Sequence, residues 1–181
     1  MQLKKAGVSI LKIDNILISH LHGDHVFGIF GLLSTMVLLG RKAPLYIYAP
    51  AAFKGILNFF LNNFADGIQY EIVHTPLKLT EKEKIIDMRQ AEVYAFPLNH
   101  RMDTFGFQIC EKMPQYNVRK WRIEADGLTL REIAQLKDGR DAVRENGDVL
   151  ELSKYAYIPY SPRSFAFCSD TAVFERESEW L

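Results

Sequence analysis

The segment Ser19-His20-Leu21-His22-Gly23-Asp24-His25 holds four metal-ligating side chains within six residues, and three of the chain's five histidines are among them. In an extended chain residues i and i+2 point the same way, so His20 and His22 can grip one ion together. Gly23 lets the backbone turn, and Asp24 and His25 then open a helix and face a second ion. Imidazole and carboxylate are ligands that zinc accepts, and manganese shares them. Two ions roughly 3.5–4 Å apart can stabilise both the attacking and the leaving oxygen of a displacement. Residues of these types at this spacing point to metal-assisted hydrolysis.

A two-ion site needs further ligands from elsewhere in the chain. His100 ends a strand that begins near Glu92, which makes it the first candidate; by itself it also fits a solvated loop histidine. Asp170 follows the apolar run Phe165-Ala166-Phe167-Cys168, and a carboxylate at such a strand end can bridge two metals. Taken alone, Asp170 also fits a turn residue or the cap of a helical segment beyond Thr171. His74, before Thr75-Pro76, reads as a loop residue, and Cys168 as core.

The elements that must position these residues follow from periodicity and punctuation. Met1 to Ala6 reads as the end of a helix stopped by Gly7. Ile16 to Ile18 is a short buried strand. His20 to His25 is a polar loop, and Val26 to Leu39 a buried helix closed by Gly40. Leu45 to Tyr48 is a strand, with Pro50 where a helix could begin. Phe53, Leu57, Phe60 and Leu61 line the core-facing side of that helix at spacings of three and four. Further strands are expected over 70–73, 84–88, 92–96, 105–109, 149–152 and 165–168, with a short helix over 129–136 and a helix at the chain's end, 179–181. Strands mixed with helices, most strands nearly continuous in apolar residues, suggest an α/β (α+β) sheet buried under helices.

Composition sets outer bounds. A chain of 181 residues with 48% hydrophobic residues is long enough for one domain with its own core. No apolar run reaches eighteen residues, and the start lacks the long apolar stretch of a secretory signal. The two cysteines, Cys110 and Cys168, cannot build a disulfide framework, so a reduced, cytoplasmic protein is expected. The formal net charge is zero, where a basic surface would suit a nucleic-acid binder.

The HxHxDH pattern of His20, His22, Asp24 and His25 is the signature of the metallo-β-lactamase fold. Its surroundings resemble ribonuclease Z. The resemblance is carried by Lys5-Ala6-Gly7, Ile13-Asp14-Asn15-Ile16-Leu17-Ile18 and Gly28-Ile29-Phe30-Gly31-Leu32-Leu33. Pro97-Leu98-Asn99-His100-Arg101, Phe105-Gly106-Phe107 and Phe167-Cys168-Ser169-Asp170-Thr171 extend it. It implies an αββα sandwich and a two-zinc endoribonuclease (manganese being the alternative ion) that trims the 3′ end of precursor tRNA by hydroxide attack on a phosphodiester. It also implies that His20, His22 and His100 hold the first ion, that Asp24 and His25 hold the second, that Asp170 bridges them, and that Asp24 is the general base. A homodimer is a further implication. By the same resemblance, the first strands of the fold precede Met1, and a last ligand in a His-x-Thr motif lies beyond Leu181.

Residues 1–181 are thus expected to form one domain, with a substrate-binding arm at about 111–162. His100 and Asp170 stand 70 positions apart (170 − 100), far more than one or two strands need. Lys112, Arg119, Lys120, Arg122, Lys137 and Arg140 are the candidate contacts to RNA phosphates. Between residues 112 and 144 basic residues exceed acidic ones by 8 − 5 = 3. The Gly-Pro-rich motif that the family's arm carries is absent. Two other readings stand beside this one: a hydrolase of a small ester or phosphodiester on the same fold, and an inactive fragment that serves as a binding module.

Overall fold

The structure, a computed structural model, describes residues 2–173. The chain divides into two compact units. The first comprises Met1–Ile86, Val93–Gln108 and Ala166–Leu181; the second comprises Asp87–Glu92 and Ile109–Phe165. The expected helix at the chain's end lies outside the described residues.

The first unit opens with a helix, Gln2–Lys5, and Gly7 follows it at φ +70°. A three-stranded parallel sheet follows, built by strands Asn15–Leu17, Leu45–Pro50 and Ile72–Leu77 in that order. Helix Gly28–Leu38 links the first two strands and helix Phe53–Phe64 the last two. Parallel neighbours need such crossovers, because a hairpin turn cannot join them. Gly40, at φ +73°, sits in the left-handed region that ends the first of these helices. Val26, Ile29, Leu33 and Met36 from the helical stretch meet Leu45, Ile47 and Ala49 from the sheet, with Phe53, Leu57 and Phe60 of the second helix. The spacing of three and four read in the sequence is the spacing that packs here, with Leu61 partly buried beside it.

A buried arginine fixes the entry to this sheet. Arg41 donates hydrogen bonds to the carbonyl oxygens of Leu11, Ile13, Ala43 and Pro44 and to the carboxylate of Asp14. A guanidinium carries five donors, so its hydrogen-bonding capacity is spent on the two segments that lead into strands Asn15–Leu17 and Leu45–Pro50.

A four-stranded sheet is ordered Ser164–Phe167, Phe105–Glu111, Ala91–Pro97, Glu83–Asp87. Leu77, Ala95, Phe105 and Phe107 form a second core cluster in the first unit, with Leu17 and Tyr48 packed against it. The second unit has its own small core of Leu128, Leu136, Ala142, Leu150 and Ala156. Its two ladders are minimal, Asn117–Val118 with Ala156–Tyr157 and Ala142–Val143 with Val149–Leu150. Its best-defined helix, Leu130–Lys137, starts with a capping box. The Thr129 hydroxyl accepts from the Glu132 N–H while the Glu132 carboxylate accepts from the Thr129 N–H.

Four readings need correction. The strand expected over 70–73 runs instead over Ile72–Leu77, so His74 is a strand residue and not a loop residue. Pro76 is tolerated there because the strand is at a sheet edge, where one N–H needs no ladder partner. Pro50 closes a strand, and the following helix begins only at Phe53. Cys168 is exposed, as is all of the edge strand Ser164–Phe167, so the apolar run over 165–168 is not core. Helices Lys120–Ala125 and Leu152–Tyr155 have no counterpart in the sequence reading.

Candidate metal centre

Strand Asn15–Leu17 ends just before the histidine-rich loop, and backbone hydrogen bonds hold that loop on two sides. The Ile18 N–H donates to the Tyr48 carbonyl at 2.9 Å, and the Phe105 N–H donates to the Ser19 carbonyl at 2.9 Å. His20 therefore follows a segment held by Tyr48 of the parallel sheet and by Phe105 of the four-stranded sheet, and it is fully buried. Helix Gly23–Val26 begins directly after the loop, with His22 at its N-cap position, Asp24 in its first turn and His25 one residue on.

His100 comes from the turn that follows strand Ala91–Pro97. There the Leu98 N–H donates to the Thr104 carbonyl and the His100 N–H to the Leu98 carbonyl. Asp170 comes from the far end of the chain. The Ala172 N–H donates to the Asn99 carbonyl at 2.8 Å, and the Asn99 N–H donates to the Thr171 hydroxyl at 3.2 Å. The neighbours of His100 and Asp170 are thus tied to each other across 72 positions.

Four expected ligands converge. One ligand atom from each of His20, His22, His100 and Asp170 lies within 4.8 Å of all the others. The His20 Nε2 is 3.0 Å from the His22 Nδ1 and 3.7 Å from an Asp170 carboxylate oxygen. The His100 ring centroid is 5.5 Å from that of His20 and 5.3 Å from that of His22. The Ser19 hydroxyl lies 3.1 Å from the other nitrogen of His20 and can fix that ring's orientation.

Asp24 and His25 do not join this group of four. The Asp24 carboxylate lies 3.5 Å from the His25 Nε2 and is open to solvent, while the His25 ring centroid is 4.1 Å from that of His20. The pair thus borders the cluster on its exposed side. Burial pushes the His20 imidazole below the usual histidine range. The neighbouring His25 and His22 rings add to this, and the Asp170 carboxylate opposes it. A neutral imidazole is the form that ligates a metal.

The donor set fits a cation. The His100 Nε2 is buried and has no hydrogen-bond partner among the described residues. A buried nitrogen without a partner is costly, and a metal bond removes that cost. His74 lies in the parallel sheet, with its ring 5.5 Å from that of Phe53. Burial lowers its proton affinity too.

In the second unit, three of the six candidate RNA-contacting cations are paired with acids. Lys112 pairs with Asp87, Arg122 with Asp126 and Arg140 with Asp138. The Arg119 guanidinium lies 5.3 Å over the Tyr157 ring. Lys120 and Lys137 are exposed and form no ion pair among the described residues. Across the whole unit 11 basic residues face 11 acidic ones, so the excess of three counted over 112–144 does not extend to the unit. The sequence reading missed Glu145, Asp148 and Glu151, which lie just past the window it counted.

A family model described as "Anti-Pycsar protein Apyc1" matches residues 1–113. The chain is similar to Ribonuclease Z of Phocaeicola vulgatus, with 36% identity over 94% of this chain and 55% of that protein. It is similar to Ribonuclease Z of Cytophaga hutchinsonii, with 42% identity over 85% of this chain and 49% of that protein. The chain therefore spans about half the length of the curated relatives it matches. Among solved structures, human tRNase Z, short form, superposes with a TM-score of 0.56 at 30% identity, covering 62% of this chain and 51% of that one. The mixed α/β arrangement expected from the sequence is the arrangement found, and it is shared with human tRNase Z, short form.

Proposed function

The chain belongs to the Anti-Pycsar protein Apyc1 family, and from that premise we propose that its protein is a zinc-dependent endoribonuclease that cuts the 3′ trailer from precursor tRNA. The observation that carries this reading is how far the likeness extends. The family model stops at residue 113, whereas ribonuclease Z proteins match 94% of the chain and so continue through the second unit. A shared catalytic half alone would leave the substrate open; a shared second unit favours a shared substrate.

In this reading His20, His22 and His100 would hold one zinc ion, Asp24 and His25 would hold a second, and Asp170 would serve both. Bound there, the ions supply Lewis acidity toward water and toward phosphodiester oxygens. The residues supply the rest. Asp24, open to solvent, accepts the proton that the attacking water loses. His20, buried and unable to protonate readily, keeps its nitrogen available as a ligand. The Asn99–Thr171 and Asn99–Ala172 bonds hold the His100 and Asp170 branches in place, so little reorganisation is needed when substrate arrives.

The second unit is read as the substrate-binding arm, with Lys120 and Lys137 the unpaired cations among its candidate contacts. A homodimer is supported by an apolar groove of about 560 Å³ on the first unit, lined by Phe27, Phe30, Phe59 and Phe64, where Phe27 is 71% and Phe64 66% exposed. A reducing, cytoplasmic setting suits two cysteines that form no disulfide. Among the described residues no helix is long and apolar enough to cross a membrane.

The neutral balance of the second unit favours one second reading, a hydrolase of a small phosphodiester. Offering the metal-loaded full chain a precursor tRNA and a small chromogenic phosphodiester separates the two. Cleavage of the precursor to a 3′-hydroxyl end, abolished by a chelator, is expected. Turnover of the small ester with the precursor left intact would overturn the ribonuclease reading.

A further inference from the structure

The second unit contains a polar cleft of about 500 Å³ that the metal centre does not use. Its volume is within the range of sites that take a small ligand. Arg89 and Gln90 line one side; they stand between strands Glu83–Asp87 and Ala91–Pro97. Gln115, Asn117 and Tyr160 contribute further polar groups, and Met113, Pro114 and Pro159 fill in the rest. Lys112 also borders the cleft, but Asp87 and Glu92 lie against its ammonium, and its N–H is committed to the Gln90 carbonyl. Arg89 is different. It is exposed and forms no ion pair among the described residues, so it is the free cation of the cleft.

The chemistry of the lining is specific in kind. One unpaired guanidinium suits a phosphate, with which it can form two parallel hydrogen bonds. One phenol ring, Tyr160, is 45% exposed and offers a face on which a base can stack. Three side-chain amides, of Gln90, Gln115 and Asn117, each present both a donor and an acceptor, which is what the edge of an unpaired base requires. Helical RNA hides its base edges in stacked pairs, whereas a single strand can turn a base outward. An acidic peptide would use the cation but not the stacking face and amides together.

We propose that this cleft binds one nucleotide of a single-stranded RNA segment, with its phosphate on Arg89 and its base on Tyr160. The inference rests on the RNA-directed reading of the metal centre and adds a contact outside the candidate cations at 112, 119, 120, 122, 137 and 140.

The test is fluorescence anisotropy of a labelled single-stranded RNA oligonucleotide on the full chain, with free mononucleotide and heparin as competitors. Arg89→Ala is expected to lower the slope of log K against log salt by about 1, the loss of one phosphate contact. Tyr160→Ala is expected to weaken binding roughly five- to hundredfold, while Tyr160→Phe keeps the stacking face and binds as the parent does. Both alanine variants should hydrolyse a small phosphodiester normally and hold their metal. Displacement of the oligonucleotide by millimolar mononucleotide would identify a free nucleotide as the cleft's ligand and overturn the strand assignment. Unchanged oligonucleotide binding in both alanine variants, or equal losses of heparin and RNA binding, overturns the cleft altogether. Precursor cleavage is scored separately. If the parent chain does not cut precursor tRNA but the variants still lose RNA binding, the function falls and the cleft stands. If the variants cut and bind normally, the reverse holds.

Discussion

Gly106 lies in strand Phe105–Glu111, beside the strand that leads to His100, and no room exists for a side chain there. A Cβ built on Gly106 would lie 2.4, 2.5 and 3.1 Å from ring carbons of Phe96, where ordinary contact begins at 3.4 Å. The ring would have to retreat by 3.4 − 2.4 = 1.0 Å, and Phe96 is fully buried with nowhere open to go. Overpacking a filled core costs about 1–3 kcal/mol. For a chain of this size that corresponds to a fall in Tm of roughly 2–12 °C for Gly106→Ala. Phe96 is four residues from His100, so a displaced ring also moves a ligand and metal affinity should fall together with Tm. Phe96→Leu alone should cost about 1 kcal/mol as a large-to-small change. It also removes the ring that the new methyl would strike. The double variant should therefore be more stable than the sum of the single losses by at least about 0.5 kcal/mol. Urea unfolding gives the four stabilities, and titration with zinc under a competing chelator gives the four affinities. Strict additivity in both would refute the steric account of Gly106.

Other outcomes follow from the same geometry. Asp24→Ala should lower turnover by several orders of magnitude, because one substitution removes an expected ligand and the expected base; near-normal rates in the metal-loaded enzyme would remove Asp24 from the mechanism. His74 is held by burial below its ordinary value of 6.5. The unfolded chain then takes up a proton first as pH falls, so this stability is full above about pH 7 and is lost on acidification through 6.5 toward the lower folded value. His74→Gln should flatten the dependence of urea midpoint on pH between 7.5 and 5 relative to the parent, and parallel curves would discount His74. Thr129→Ala removes one half of a capping box and should cost about 1 kcal/mol in the second unit, whereas Thr129→Ser should cost less. Hydrogen exchange over Leu130–Lys137 checks this, and unchanged protection in Thr129→Ala would show that the cap contributes nothing.

How much of this was legible beforehand depended on range. The His20–His25 motif could be read because its geometry is local: alternation in an extended chain and a helix start determine where four side chains go. Helix Phe53–Phe64 was legible for the same reason, since its buried positions repeat every three or four residues. His100 and Asp170 were suggested by strand ends, but the hydrogen bonds that unite their neighbours span 72 and 73 positions (171 − 99 and 172 − 99) and leave no periodic trace. The misreading of Cys168 has a related cause. Phe165-Ala166-Phe167-Cys168 has the composition of a core strand, yet its place at a sheet edge is set by partners far away in sequence. The charge reading erred differently. A window ending at Arg144 omits Glu145, Asp148 and Glu151, and surface charge is a property of the whole unit. The helices Lys120–Ala125 and Leu152–Tyr155 are too short for a hydrophobic period to be visible.

The tie between Asn99 and the Thr171-Ala172 pair has a bearing on how this protein can vary. Residues 109–165, the larger part of the second unit, are an excursion of the chain between two points that are tied together. Lengthening, shortening or exchanging residues within 109–165 alters the second unit and leaves the tie between the turns that carry His100 and Asp170 as it was. The ligand cluster and the second unit are thereby free to diverge at different speeds.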